Sequence, residues 1–183
     1  MTAFGGAAAG RSGAHERGQD HAESGRRTRD HGPMTARRLM TVDDAPVLAE
    51  LVRSNREFLA PWEPLRREDY FTEAGKRRHR AYARTASSRH CAAVDDYAAG
   101  SVVGRITLNG IVRGAFQSCS VGYWLSSAAS GRGLATIALR ETIGVTFGEL
   151  GPHRIQAETL VHKVVSQRVL ERNGFGRIGM APA

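Results

Sequence analysis

The stretch "YWLSSAASGRGLATIAL", Tyr123 to Leu139, decides how the rest of this 183-residue chain is read. It sets an apolar, strand-like run against a helix-like run, with Gly131, Arg132 and Gly133 between them. A helix start leaves its first N–H groups without intrahelical acceptors and carries partial positive charge. Glycines there let bare backbone approach a ligand with no Cβ in the way. The chemical reading is an anion, a phosphate or pyrophosphate, seated on the N–H groups of Arg132, Gly133, Leu134, Ala135 and Thr136. The Arg132 side chain adds a cation. The alternative is an ordinary strand-to-helix turn whose glycines serve geometry alone.

Around this loop the order of elements is mixed. "TVDDAPVLAELVRSNREFL", from Thr41, places Leu48, Leu51, Val52 and Leu59 on one helix face, with Thr41 or Asp43 as cap and Pro46 early. After the proline-broken "APWEPLR", "FTEAGKRRHRAYARTA" reads as a second, basic helix. Strand patterns follow at 90–94, 101–108 and 117–125, close enough in sequence to form antiparallel hairpins. Beyond the loop come a helix over 134–149, a strand over 153–160, a short helix over 166–174 and a last strand "FGRIGM". This order makes an α/β fold, one domain with a mixed, mostly antiparallel sheet flanked by helices. Residues 1–33 hold seven glycines, mixed charges and no apolar periodicity, so they are expected to be a disordered, dispensable leader. The folded domain is expected over 34–183, with Met34 a second candidate start.

Composition narrows the classes. No apolar run approaches the roughly 20 residues of a bilayer span, and no compact apolar signal core opens the chain. Cys91 and Cys119 have no CxxC spacing, so neither a disulfide framework nor a metal site is expected, and a reducing cytoplasm fits. The formal net charge of +8 invites a nucleic-acid reading. The excess is spread along the chain, apart from one cluster at Lys76, Arg77, Arg78, Arg80 and Arg84. That cluster reads as a solvated helix face, the alternative being a surface for an acidic partner or an RNA-rich particle.

Three phosphate loops compete for the glycine stretch. A P-loop requires Gly-Lys-Ser/Thr, and the chain has Gly133-Leu134-Ala135. A dinucleotide fingerprint fails at Thr136 and would open a parallel sheet. The remaining candidate is an acyl-CoA loop. Ser130-Gly131-Arg132-Gly133-Leu134-Ala135 resembles the Q/R-x-x-G-x-G/A signature of the GNAT acetyltransferase superfamily. "SVGYWL" before it and "HRIQAETLVHKVVSQRVLERNGF" after it resemble the strand, N-x-x-S turn and helix of the Rim-type ribosomal-protein N-terminal acetyltransferases. "FLAPWEP" resembles the substrate-side segment of the same group.

The resemblance spans roughly 34–183 and carries definite implications. Acetyl-CoA is the cosubstrate, and no metal is needed. The strand end at Tyr123, Trp124 and Leu125 splays from its neighbour and offers backbone to the pantetheine arm. Phe58 and Trp62 lie on the acceptor side. The acceptor is an amine, either a protein N-terminus, with a ribosomal protein as one possibility, or a small amine. Ser130 replaces the usual Gln/Arg, and Lys163 stands where the group carries Asn, from where it could reach a CoA phosphate. "GMAPA" stops where family members add a further strand, so the last strand is expected to be missing. The edge near Phe175–Met180 would then be unpaired and prone to dimerisation.

The reaction so implied is direct attack by a neutral amine. An α-amino group, with a pKa of ~7.7–8.0, needs less help than a lysine near ~10.4. Glu158 is the candidate base, acting through water. Ser166 is the candidate donor to the leaving thiolate, or else the N-cap of its helix. His153 and His162 are read as surface or packing residues. Two other readings stay open, a CoA-binding module without turnover and a basic ribosome- or RNA-associated protein.

Overall fold

The computed structural model describes residues 1–6, 35–78, 90–96 and 100–180. In chain order the strands are β1 (Thr2–Gly6), β2 (Thr35–Leu39), β3 (His90–Asp96), β4 (Ser101–Val112), β5 (Ser118–Leu125), β6 (Arg154–Thr159) and β7 (Phe175–Met180). The helices are α1 (Ala45–Ser54), α2 (Arg56–Leu59), α3 (73–78), α4 (Leu134–Val145) and α5 (Val164–Arg172). The strands form one sheet in the order β2-β3-β4-β5-β6-β1-β7. Only β5 and β6 pair in parallel, and every other neighbouring pair is antiparallel. The mixed, mostly antiparallel α/β domain expected from the element order is the architecture found.

A core lies on each face of the sheet. On one, Leu134, Ala138 and Leu139 of α4 and Leu170 of α5 pack on Ile106, Leu108, Val121 and Ile155. On the other, Leu48 and Val52 of α1 and Leu59 of α2 pack on Trp124 and Met40. The α1 face forms because its apolar residues recur at helical spacing and its start is well held. The Thr41 N–H donates to Asp44 at 2.6 Å, and both Arg38 amino groups donate to the same carboxylate at 2.9 and 2.5 Å. The buried hydroxyls of Thr142 in α4 and of Thr146 just beyond its end donate to the carbonyls of Ala138 and Thr142, at 2.8 and 2.6 Å, so neither is left unsatisfied.

Two expectations about the ends of the chain are corrected. The reading of 1–33 as disordered fails for residues 2–6, which form β1 between β6 and β7, antiparallel to both. Thr2 faces Thr159 and Met180, and Phe4 is fully buried in the larger core. Pairing on both sides and burial of one phenylalanine, worth about 1.5–3 kcal/mol, order a segment too short to show any period. The edge expected near Phe175–Met180 is paired with β1 on one side, and β7 is the outer strand of the sheet on the other. Residues 7–34 lie outside the described residues. So do Arg80 and Arg84 of the expected basic helix, of which 73–78 is described.

Candidate active site

The site begins where β5 and β6 part. Their parallel ladder joins only Ser118–Ser120 to Arg154–Gln156. β5 then continues to Leu125 with β4 alone beside it, pairing Ile106, Arg105 and Gly104 with Tyr123, Trp124 and Leu125. Its other edge thus opens over the residues expected to splay. Gly104 makes the close approach on the β4 side possible, since a Cβ there would lie 2.3 Å from the Trp124 carbonyl oxygen. Side chains alternate across this strand end. Tyr123 and Leu125 pack on the α4 face, and Trp124 is buried in the α1 face.

The glycine loop follows directly. Gly131 and Gly133 both have φ +80°, the left-handed region that side chains disfavour, and a Cβ at either would meet nothing within 4 Å. The loop surface is therefore bare backbone facing open space, as an anion cradle requires. Gly133 caps α4, and Leu134 and Ala135 hold the first N–H groups of the helix. Thr136 is a correction to the expected donor set, because its N–H already bonds the Gly133 carbonyl at 3.0 Å. The Ser130 hydroxyl is used within the turn, donating to the Ser126 carbonyl at 2.9 Å. The turn is also anchored from the opposite face of the sheet. Asn55, at the end of α1, accepts from the Ser127 N–H and hydroxyl at 2.8 and 3.1 Å.

Tyr123 and Ser166 meet. The Tyr123 hydroxyl lies 3.0 Å from the Ser166 hydroxyl and donates to the Ser166 carbonyl at 3.2 Å. Burial pushes the phenol up to about 12, with the Ser166 contact pulling the other way, so it keeps its proton at neutral pH. Ser166 is not the N-cap of its helix. α5 begins at Val164 with Lys163 as its cap residue, and the Ser166 N–H bonds the Lys163 carbonyl at 3.1 Å. The serine thus sits in the first turn, beside the open edge of β5.

The other expected residues divide. Glu158 is exposed on β6, on the face opposite Ile155 and Ala157 and therefore on the Trp124 side. No hydrogen bond joins it to Tyr123 or Ser166. The Lys163 ammonium lies 5.2 Å from the Trp62 ring, half-buried, with burial holding its pKa below the ordinary value and Glu63 opposing that shift. His162 meets the same indole, ring centres 5.7 Å apart. Trp62 thereby joins the segment 58–64 to the β6–α5 turn. Phe58 is largely exposed on α2.

Beside Trp62 lies a pocket of about 160 Å³, lined among others by Leu59, Glu63, Leu65, Arg66, Tyr70 and Phe71. Sequence reading named Leu59 as core and placed Leu59 and Glu63 in the substrate-side segment "FLAPWEP", but it missed Leu65, Arg66, Tyr70 and Phe71 as pocket residues. Tyr70 and Phe71 follow a polar run without period, and only their place beside Trp124 gives them meaning. The reading of Lys76 as part of a solvated face is also corrected, because the residue is only 5% exposed. Its neighbours Arg77 and Arg78 do face solvent, paired with Glu73 and Asp69.

A bare-backbone cradle at a helix start, beside a parted strand and a hydroxyl pair, describes an acyl-CoA-dependent transferase. The chain belongs to the GNAT acetyltransferases, since the acetyltransferase (GNAT) domain profile matches residues 35–176. It is 32% identical over 151 residues to the probable N-acetyltransferase YjcK of Bacillus subtilis, covering 79% of this chain and 81% of that one. It is 31% identical over 147 residues to the ribosomal protein uS5-alanine N-acetyltransferase of Escherichia coli, covering 79% and 76%. The crystal structure of a ribosomal-protein-S5-alanine acetyltransferase from Vibrio fischeri superposes with a TM-score of 0.72 at 29% identity, covering 76% of this chain and 78% of that one. The protein is an N-acetyltransferase that uses acetyl-CoA and acts on an amine. β1 lies outside the matched span. No described helix is long and apolar enough to cross a membrane.

Proposed function

We propose that the protein transfers the acetyl group of acetyl-CoA to the α-amine of a protein N-terminus. The observation that carries this reading is the ladder between β5 and β6 that stops at Ser120 and Gln156, leaving the β5 edge open between the loop and Ser166. The similarity to ribosomal-protein alanine acetyltransferases supports an α-amine acceptor.

In this reading Gly131, Arg132, Gly133, Leu134 and Ala135 hold the CoA pyrophosphate, and the Tyr123–Leu125 backbone holds the pantetheine arm. The acceptor enters from the Trp124 face, past Phe58 and Trp62. Glu158, on that face, takes a proton from the ammonium through water and leaves a neutral amine. The amine lone pair attacks the thioester carbonyl, and backbone N–H groups of β5 stabilise the oxygen as it gains charge. The carbon–sulfur bond then breaks, and the thiolate takes a proton from the Ser166 hydroxyl as the Tyr123 hydroxyl turns from the Ser166 carbonyl and passes its own proton to Ser166; solvent reprotonates Tyr123 as CoA leaves. The amide loses its extra proton to solvent through Glu158.

Thiol release from acetyl-CoA, measured with alanine-initiated peptides, tests the assignment. Turnover is expected with a free α-amine and is expected to vanish when the same peptide is N-acetylated, even if it contains lysine. Turnover confined to lysine side chains or small polyamines would overturn the α-amine reading. Glu158→Gln should lower kcat and flatten its rise with pH.

A further inference from the structure

Among the described residues, the acceptor face holds three buried polar groups that make no hydrogen bond of good geometry, although Arg105 is directed at one of them, the Tyr70 hydroxyl. The Lys76 ammonium lies 3.2 Å from the centre of the Tyr70 ring, and it has no hydrogen-bond partner. The Tyr70 hydroxyl and the Trp124 indole N–H are likewise buried without a hydrogen bond of good geometry. Both aromatic residues belong to the packing on this face, Trp124 within the core cluster and Tyr70 against it. Arg66 stands 4.7 Å from the same tyrosine ring. Arg105, directly across from Trp124 on β4, is near enough to act on Tyr70 and Lys76 alike. The carboxylate acting on this group is Glu63, and it is already paired with Arg66 at 3.2 Å.

An ammonium and an indole N–H can only donate, and a phenol donates readily. Buried donors without acceptors are rare in folded proteins and weaken them, more so when one is charged. A water could accept from one or two of them but would leave the positive charge uncompensated. The group that satisfies all of them is an oxygen acceptor with negative charge. Tyr70 connects this group to the pocket of about 160 Å³, which it lines and which has room for a side chain and not for a folded partner; Lys76, Trp124 and Arg105 lie behind that lining.

We propose that Lys76, Tyr70, Trp124 and Arg105 form a carboxylate subsite of the acceptor pocket, so that the preferred substrate is an amine with a carboxylate close by. The inference rests on the acceptor reading above and narrows it. Within a protein N-terminus the carboxylate belongs to an acidic residue at the second or third position, and in a free dipeptide it is the terminal one. Burial, followed by Arg105, brings Lys76 down to about 7, with Glu63 opposing and Arg66 reinforcing the shift. A bound carboxylate restores the charged form, so its affinity falls as the pH rises above about 7.

Binding of acetylated product peptides by the full chain with CoA present, followed by calorimetry, tests the subsite without requiring turnover. N-acetyl-Ala-Asp-Ala-amide should bind at least tenfold more tightly than N-acetyl-Ala-Asn-Ala-amide. The preference should drop below twofold in Lys76→Met and in Arg105→Gln, two independent variants that guard against one failing to fold. N-acetyl-dialanine with a free terminus reports whether a terminal carboxylate serves as well as a side chain. Equal binding of the Asp and Asn peptides, or an unchanged preference in either folded variant, would overturn the proposal. Tight, Lys76-dependent binding of the Asp product, with no acetylation of the free-amine Asp peptide, would uphold the subsite and refute the α-amine reading.

Discussion

The proposed cofactor side and the proposed acceptor side of this sheet are built in opposite ways. The cofactor side is one continuous run, in which β5, the glycine loop, α4, β6 and α5 follow each other from Ser118 to Arg172. Most of its proposed contacts come from backbone, at an open strand edge and a helix start. The acceptor side is gathered from afar, with Trp62, Tyr70, Lys76, Arg105 and Trp124 supplied by five separate elements, and its chemistry resides in side chains. Backbone recognition needs only the right local geometry, which a few glycines and a change of period specify. A side-chain site acquires its properties from burial and neighbours, which exist only in the folded chain.

The largest effect expected is on the frame beneath both sides. Phe4→Ala should cost about 3–5 kcal/mol of stability in urea unfolding, as deletion of a fully buried phenylalanine does. A loss below about 1 kcal/mol would mean that β1 only decorates the sheet, and 1–33 would be a leader after all. Next comes the cradle. Gly133→Val places a β-branched residue at φ +80° and puts a side chain where the ligand must approach. CoA affinity should fall about tenfold or more while the protein stays folded. Unchanged affinity in a folded variant would remove the cofactor side from this loop.

Tyr123→Phe should lower kcat roughly tenfold and leave the KM for acetyl-CoA unchanged, because a proton donor shared with Ser166 acts on the leaving group and not on binding. A rise in KM alone would make the hydroxyl a structural strut. The smallest signal expected is a slope. Lys76 titrates at about 7 in the folded chain against an ordinary 10.5, so between those values the unfolded chain binds the extra proton. Stability should therefore rise with pH across that window, and this part of the rise should be absent from Lys76→Met. Identical slopes would show that the ammonium reaches solvent, and the contrast between the two sides would weaken.

What could be read before folding follows the same division. The strand–loop–helix run and both glycines were legible because each is local, whereas the parting of β5 from β6 was expected only from the family resemblance. Thr136 was misread because only the tight first turn of α4 engages its N–H. Ser166 was misplaced because α5 starts two residues earlier, on Val164. β1 gave no signal, since a glycine-bearing pentapeptide becomes a strand only between two others. β2, with two arginines in five residues, lacks the apolar alternation of an inner strand and was not anticipated. Lys76 looked like its neighbours Arg77 and Arg78, and nothing in the run of cations marks the one that faces inward.

Amide hydrogen exchange with and without acetyl-CoA tests the central claim, that the open edge of β5 and the start of α4 together hold the cosubstrate. Slowed exchange is expected at Tyr123–Leu125 and at Leu134–Ala135, with little change across 63–71 on the acceptor side. Protection that appears across 63–71 while Tyr123–Leu125 exchanges as before would contradict the account.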